Sequence, residues 1–148
     1  MARRTDGGER PDDRRPPDFE ICVHGRPVSA QAHNRNRLAI WQHAVKTAAL
    51  DAWPSGQQPF AAEIELRVTH YAGARIADMD NLVKPIQDAL QGVCYPHDGR
   101  VDVTGNWRDI NGRFRVRYMS PRLAAAFSDG REFVHVRVWR AAGERDLG

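Results

Sequence analysis

The sequence predicts an α+β fold, with a mixed, mostly antiparallel sheet and two main helices packed on one of its faces. Apolar and polar residues alternate with a period of two at 18–23, 61–71 and 132–140, which is typical of strands. Apolar residues between Leu38 and Trp53 instead recur every three to four positions, as they do in a helix. The 148 residues suffice for one domain with a modest core.

A polar loop at 24–37 separates the first strand from the first helix. Its arginine and asparagine side chains are the usual phosphate contacts, so one interpretation is a DNA-binding surface, with Arg26, Arg35 and Arg37 as candidate contacts. The other interpretation is a solvated loop that leads into the helix. The apolar stripe of that helix is predicted to pack on the sheet and consists of Ile40, Trp41, Ala44, Val45, Ala48, Ala49 and Ala52.

The strand at 61–71 is predicted to bury one face, and His70 ends that face near an acidic loop. His70 is interpreted either as a histidine satisfied in the core or as a group behind the functional site. The loop at 72–77 contains Arg75, which is its best candidate for a phosphate contact. A second helix is expected from about Asn81 to Gly92.

The chain then returns to strands. A strand at 100–110 leads into Asn111-Gly112, which is a strong hairpin signal. The strand after that turn is predicted to present arginines on one face, namely Arg113, Arg115 and Arg117. Residues 121–130 are predicted to be an inserted turn with a short helical piece at 123–127.

An acidic motif precedes the second helix. Asp78 and Asp80 lie in a segment predicted to be extended, where alternate side chains share a face, so Met79 points away from them. Lys84 follows Asp80 by one helical turn, and Asp98 follows the helix. Three close carboxylates repel one another unless a cation neutralises them, and hard oxygen ligands favour magnesium or manganese over zinc. The motif therefore predicts a divalent-metal site for phosphodiester cleavage.

A simpler interpretation of the same residues is also open. A D-x-D pair before a helix is often turn chemistry, with Asp80 or Asn81 as the N-cap. Lys84 and Asp88 have the spacing of an ordinary ion pair on a helix face. Against this, Lys84 is one of only two lysines beside twenty arginines, which suggests a specific need for a compact charge on a phosphate oxygen.

The runs Asp78–Leu90 and Asp98–Val101 resemble the signature of the RusA family, Holliday junction resolvases of bacteria and their phages. The resemblance is strongest over residues 76–103. It implies an α+β (RusA-like) fold, a homodimer and paired nicks in branched DNA. The sequence departs from the family pattern at His97, where an acid often stands, and at Ala77, where an arginine often stands.

The same resemblance assigns roles to individual residues. It implies that Asp78, Asp80 and Asp98 bind Mg²⁺, for which Mn²⁺ substitutes. It implies that Lys84 is functionally important, so the four residues together form the expected catalytic set.

Composition places few further limits on function. The net charge of +3 permits nucleic-acid binding without demanding it, and no apolar run is long enough to cross a membrane. Cys22 and Cys94 are predicted to be reduced, partly buried thiols of a cytoplasmic protein. The expected organisation is a disordered arm at 1–17, a nuclease domain at 18–140 and a tail at 141–148.

The sequence thus predicts a magnesium-dependent, structure-specific endodeoxyribonuclease that resolves four-way DNA junctions in recombination and repair. One alternative is a junction-binding module that does not cleave, with Ala77 and His97 as the trace of lost activity. The other alternative is a nuclease for RNA or another branched substrate.

Overall fold

The structure is a computed structural model that describes residues 16–61, 63–96, 100–112 and 119–140. Over these ranges the chain forms four strands and three helices. The strands are β1 (Phe19–His24), β2 (Ile64–Ala72), β3 (Val101–Asp109) and β4 (Phe133–Arg140). The helices are α1 (Arg35–Ala52), α2 (Met79–Leu90) and α3 (Pro121–Asp129). The α+β class predicted from the sequence is confirmed.

The four strands form one sheet in the order β1-β4-β2-β3. Strand β4 is antiparallel to both β1 and β2, whereas β2 and β3 are parallel. Neighbouring parallel strands need a crossover connection, and α2 provides it. The predicted mixed, mostly antiparallel sheet is therefore confirmed, and its one parallel pair flanks the helix that begins with the acidic motif.

The main core lies between one face of the sheet and the two longer helices. Helix α1 packs against α2 and β1, and α2 packs against β3. The alternating strand residues and the helix stripes meet in one buried cluster, which includes Ile21, Leu66, Val68, Val136, Val138, Trp41, Val45, Leu82, Ile86 and Leu90. This arrangement confirms the prediction of two main helices on one face.

Helix α1 begins earlier than predicted. The Asn34 side chain caps it by accepting a hydrogen bond from the Arg37 backbone N–H, so Arg35 and Arg37 lie in its first turn and not in a loop. The buried stripe is Leu38, Trp41, Val45 and Ala49. The assignment of Ile40 and Ala44 to that stripe was wrong, because three-to-four spacing from Leu38 excludes them; both are exposed, Ile40 by 70%.

The opposite face of the sheet is covered at one end by α3. The Ser120 hydroxyl caps this helix by accepting from the Leu123 N–H, and Gly130 ends it in the left-handed conformation with φ 74°. The helix confirms the helical piece predicted in the inserted turn and is longer than expected. Its Phe127 packs against Tyr71 and Phe133 in an aromatic cluster.

Some sequence predictions lie outside the described residues. These are the arm up to residue 15, the segment 97–99, the arginine-lined strand at 113–118 and the tail at 141–148. The turn at Asn111-Gly112 is described, and the Gly112 N–H donates to the Asp109 carbonyl at 2.9 Å. Across the part of the chain that the structure describes, no helix has both the length and the apolarity of a membrane span.

Candidate active site

The acidic motif forms the beginning of α2. Asp78 is the N-cap residue, with φ −62° and ψ 136°, and Asp80 lies in the first helical turn. The predictions that residues up to 80 are extended and that Asp80 or Asn81 caps the helix were wrong. The helix starts earlier because the Asp78 carbonyl already accepts from the N–H groups of Asn81 and Leu82, at 3.0 and 3.3 Å. The Asp78 side chain makes no cap hydrogen bond.

The first turn of α2 is held against β3 while its carboxylates face solvent. Asp78 and Asp80 are exposed, whereas Met79 points into the core and is 7% exposed. A Cβ placed on Gly105 of β3 would lie 2.5 Å from Val83 Cγ2. Only glycine permits so close an approach of helix and strand. Gly105 therefore allows α2 to lie close to β3, and this close packing positions the first turn, which carries the two carboxylates.

The chemistry of this helix end suits a hard cation. The N-terminus of a helix carries partial positive charge, which stabilises the negative charge of Asp78 at the N-cap and of Asp80 in the first turn. Exposed carboxylate oxygens are the ligands that magnesium and manganese prefer. The described ranges contain no cluster of three or more His, Cys, Asp or Glu that would hold a metal. Asp98, the predicted third ligand, and its neighbour His97 lie outside those ranges, so the third position remains a prediction.

Lys84 projects from the exposed side of α2, one turn beyond Asp80. Its Nζ lies 3.0 Å from Asp88 Oδ1, so the ordinary ion pair considered from the sequence is present. The two side chains are 60% and 40% exposed. Exposed helical pairs of this kind contribute only about 0.3–0.5 kcal/mol. The pair therefore holds Lys84 weakly and leaves its ammonium group available to a bound phosphate.

Arg26 is anchored by half-buried Glu132, which in turn contacts buried His70. Its Nε donates to Glu132 Oε1 at 3.3 Å, and Glu132 Oε2 lies 2.6 Å from His70 Nε2. The Gly25 N–H also donates to the Glu132 carbonyl at 3.1 Å. His70 is 1% exposed and its Nε2 contacts Glu132, which supports the interpretation of a core histidine, and its buried Nδ1 has no hydrogen-bond partner among the described residues. Through Glu132 it helps to hold the guanidinium of Arg26 at the surface.

The loop that precedes α1 contacts the acidic motif directly. Arg35 NH1 donates to the carbonyls of Ala30 and Ala32 at 3.2 and 3.3 Å. The Ala30 N–H in turn donates to the Asn81 carbonyl at 2.8 Å. Arg35 thus organises the loop, while Arg37 is exposed on the first turn of α1. The structure brings this predicted DNA-contact segment against the first turn of α2.

Arg75 is exposed in the loop between β2 and α2. This loop lies beside the turn that ends β3, because the Ile110 N–H donates to the Ala72 carbonyl at 3.1 Å. A Cβ on Gly73 would lie 3.7 Å from the Asn111 side chain. Arg75 therefore lies at the same edge of the sheet as the acidic motif.

The cysteines are not nucleophiles. Both are free, and burial raises the pKa of Cys22 and of Cys94 to about 12. The negative charge of Glu20 contributes further to the rise at Cys22. Both thiols stay protonated near neutral pH, in agreement with the prediction of reduced, partly buried cysteines.

Sequence reasoning missed three contributors to this region. Glu132 had no signal, because its partners His70 and Arg26 are 62 and 106 residues away. Gly105 did have a signal in the sequence, since a glycine inside a strand often marks a close backbone approach. The Asn81 carbonyl also had a signal, because Pro85 inside the helix lacks the N–H that would normally donate to that carbonyl.

Comparison with known families agrees with the geometry. The family model described as Endodeoxyribonuclease RusA matches residues 22–118. This range covers more than half of the chain and contains every site residue predicted above, from Arg26 to Asp98. No curated protein sequence matches the chain. The chain belongs to the RusA endodeoxyribonuclease family.

Proposed function

We propose that this protein is a magnesium-dependent endonuclease that resolves four-way DNA junctions by paired nicks. The observation that carries the proposal is the N-terminus of α2. There two exposed carboxylates, Asp78 and Asp80, lie at the helix start beside an arginine-bearing loop. Family membership supports nuclease chemistry on DNA.

The donor set fits a hard divalent cation. Asp78 and Asp80 would hold it, with Asp98 as the proposed third ligand, and Mn²⁺ should substitute for Mg²⁺. When bound, such an ion lowers the pKa of a coordinated water and offsets negative charge on the scissile phosphate. Lys84 supplies a positive charge, one turn beyond Asp80, that stabilises the phosphate in the transition state.

The arginines around the motif bind the DNA backbone. Arg26, Arg35, Arg37 and Arg75 come from the same end of the fold, and guanidinium groups match phosphate geometry. They position the strand without reading its bases, which suits an enzyme that recognises the shape of a junction.

We further propose a cytoplasmic homodimer built from a nuclease domain at 18–140, with residues 1–17 and 141–148 as an arm and a tail. Two identical sites related by a two-fold axis match the approximate two-fold symmetry of a four-way junction, and each makes one of the paired nicks.

The test compares two carboxylates on the same helix. Asp80→Asn should abolish magnesium-dependent nicking of a synthetic four-way DNA junction and leave junction binding intact, whereas the matched control Asp88→Asn should retain nicking. Unchanged nicking by Asp80→Asn contradicts the assignment. A panel with linear duplex and an RNA junction tests the substrate. A wild-type protein that binds the DNA junction without cutting it is instead the non-cleaving module.

A further inference from the structure

Pro85 interrupts the hydrogen bonding of α2. It lies inside the helix and its ring is buried. Proline has no backbone N–H, so it cannot donate the helical bond to the carbonyl four residues earlier, which belongs to Asn81. Proline is also the least favourable residue in a helix interior. Its presence therefore leaves an acceptor open in the first part of the helix, directly after Asp80.

The open acceptor is taken by another segment of the chain. The Ala30 N–H donates to the Asn81 carbonyl at 2.8 Å, a distance well within the range of a good backbone hydrogen bond. The carbonyl of Ala30 accepts from Arg35 NH1 at 3.2 Å. One continuous series of bonds thus connects Arg35 with the backbone that follows Asp80.

A second bond joins the two helices at the same point. Gln42 Nε2 of α1 donates to the Pro85 carbonyl at 3.1 Å. Helix α1 and the loop before it are therefore joined to α2 on both sides of the missing helical bond, at Asn81 and at Pro85.

We propose that Pro85 is a positioning residue: by leaving the Asn81 carbonyl to Ala30, it locks the arginine-bearing loop against the acidic motif. The inference rests on the proposed function, since the benefit of this lock is a fixed distance between the arginines that hold the DNA backbone and the carboxylates that hold the cation. Pro85 itself touches neither DNA nor metal.

The first variant restores the helical donor. In Pro85→Ala, the new N–H competes with Ala30 for the Asn81 carbonyl. Amide exchange at Ala30, followed by NMR, should accelerate about fivefold, the factor equivalent to one net hydrogen bond. Junction affinity should fall by a similar factor, while Mn²⁺ affinity stays unchanged because Asp78 and Asp80 are not altered. Pro121→Ala is the matched control, since a proline at the first position of a helix deprives no carbonyl of its donor.

A second variant removes the Ala30 N–H donor and leaves Pro85 in place; it also weakens the Ser29 carbonyl as the acceptor of the Ala32 N–H. Replacing Ala30 with lactate substitutes an ester for the amide and deletes the N–H without changing the side chain. It should weaken junction binding about as much as Pro85→Ala does. The two changes combined should weaken it no further than either one alone, because they break the same contact.

The outcomes separate this inference from the proposed function. The inference is overturned if the amide exchange rate at Ala30 and the junction affinity in Pro85→Ala both remain within about twofold of the wild-type values. That result shows that no hydrogen bond was lost. If Pro85→Ala does not fold, the lactate variant decides alone, and unchanged junction affinity overturns the inference. The exchange measurement needs neither DNA nor metal, so it still reports on the lock if the wild-type protein proves not to cut junctions.

Discussion

Buried His70 pairs with half-buried Glu132, with His70 Nε2 2.6 Å from Glu132 Oε2, although His70 lies in β2 and Glu132 directly precedes β4. The second oxygen of Glu132 accepts from Arg26 at the surface. One carboxylate thus joins a core histidine to Arg26, a candidate phosphate contact in the loop that precedes α1.

This relationship predicts the effect of Glu132→Ala. Removing the carboxylate leaves buried His70 without this partner, which should lower the free energy of unfolding by about 1–3 kcal/mol. It also releases Arg26, so junction affinity should fall. Urea unfolding and fluorescence anisotropy measure the two effects. The control is Asp129→Ala, which removes the exposed partner of His24 and should change stability by less than about 0.5 kcal/mol. Lower stability with unchanged affinity would show that Arg26 does not contact DNA.

Gly105→Ala should disturb the acidic motif from the far side of α2. The added Cβ would approach Val83 Cγ2 to 2.5 Å, so the Val83 side chain must move, and we expect α2 to move with it, at a cost of about 1–3 kcal/mol. Because that shift moves the first turn, Mn²⁺ affinity and nicking should both fall. Adding Val83→Ala should restore them. The control Gly73→Ala meets only an ordinary contact at 3.7 Å and should behave as wild type. Failure of the double variant to recover contradicts a steric cause.

Substitutions of Lys84 and of Asp88 distinguish a catalytic role of Lys84 from an ordinary ion pair on the helix surface. Removing either partner should cost less than about 1 kcal/mol of stability, because both side chains are largely exposed. Lys84→Ala should nevertheless reduce the nicking rate about 10²–10³-fold, as expected for loss of one group that stabilises charge in the transition state. Asp88→Ala should leave that rate unchanged. Single-turnover cleavage at saturating junction gives the comparison. Equal rates for the two variants would mean that Lys84 is only a surface ion pair.

The pair of Glu20 and His135 predicts acid sensitivity. The His135 pKa is lowered, because burial opposes its charge more than the hydrogen bond to Glu20 favours it. Burial alone would raise the pKa of Glu20, but hydrogen bonds from His135 and Ser120 and the charge of Arg137 lower it. A neutral His135 that donates Nε2–H to the Glu20 carboxylate, across 2.7 Å, satisfies both shifts.

Both groups release protons more readily in the folded protein than in the unfolded chain. The contribution of the two groups to the free energy of unfolding is therefore fully present above their pKa values in the unfolded chain. It is lost as the pH falls through their pKa values in the folded protein. For His135 the loss begins below its ordinary value of 6.5, and for Glu20 it begins below 4.5. Urea unfolding between pH 7.5 and pH 4 should show this decline, and His135→Gln should flatten it, whereas exposed His33→Gln should not. An identical decline in all three proteins contradicts this origin.

Local patterns were sufficient to predict the fold class, because each strand and helix has its own periodicity. The apolar faces of β2 and β4 follow the alternation of Leu66, Val68, Val136 and Val138. The start of α1 was misplaced because the cap at Asn34 lies in a polar run without apolar periodicity. Asp80 was misread as a cap for a related reason, since a D-x-D pair offers two possible first residues.

Only those residues of the candidate site that lie in one stretch of the sequence could be predicted. Asp78, Asp80 and Lys84 belong to one stretch of sequence, so their spacing on a helix follows from local geometry. The links from Glu132 to Arg26 and from Ala30 to Asn81 join distant segments. Such contacts depend on the register of the sheet and on the packing of α1 against α2, which no single segment encodes.

We propose that the start of α2 binds a divalent cation for DNA cleavage. The most direct measurement is the anomalous scattering of manganese in a crystal of the protein soaked with Mn²⁺. We expect a manganese peak within bonding distance of carboxylate oxygens from both Asp78 and Asp80, and its loss in Asp80→Asn. Full manganese saturation with no peak at these two side chains would contradict the account.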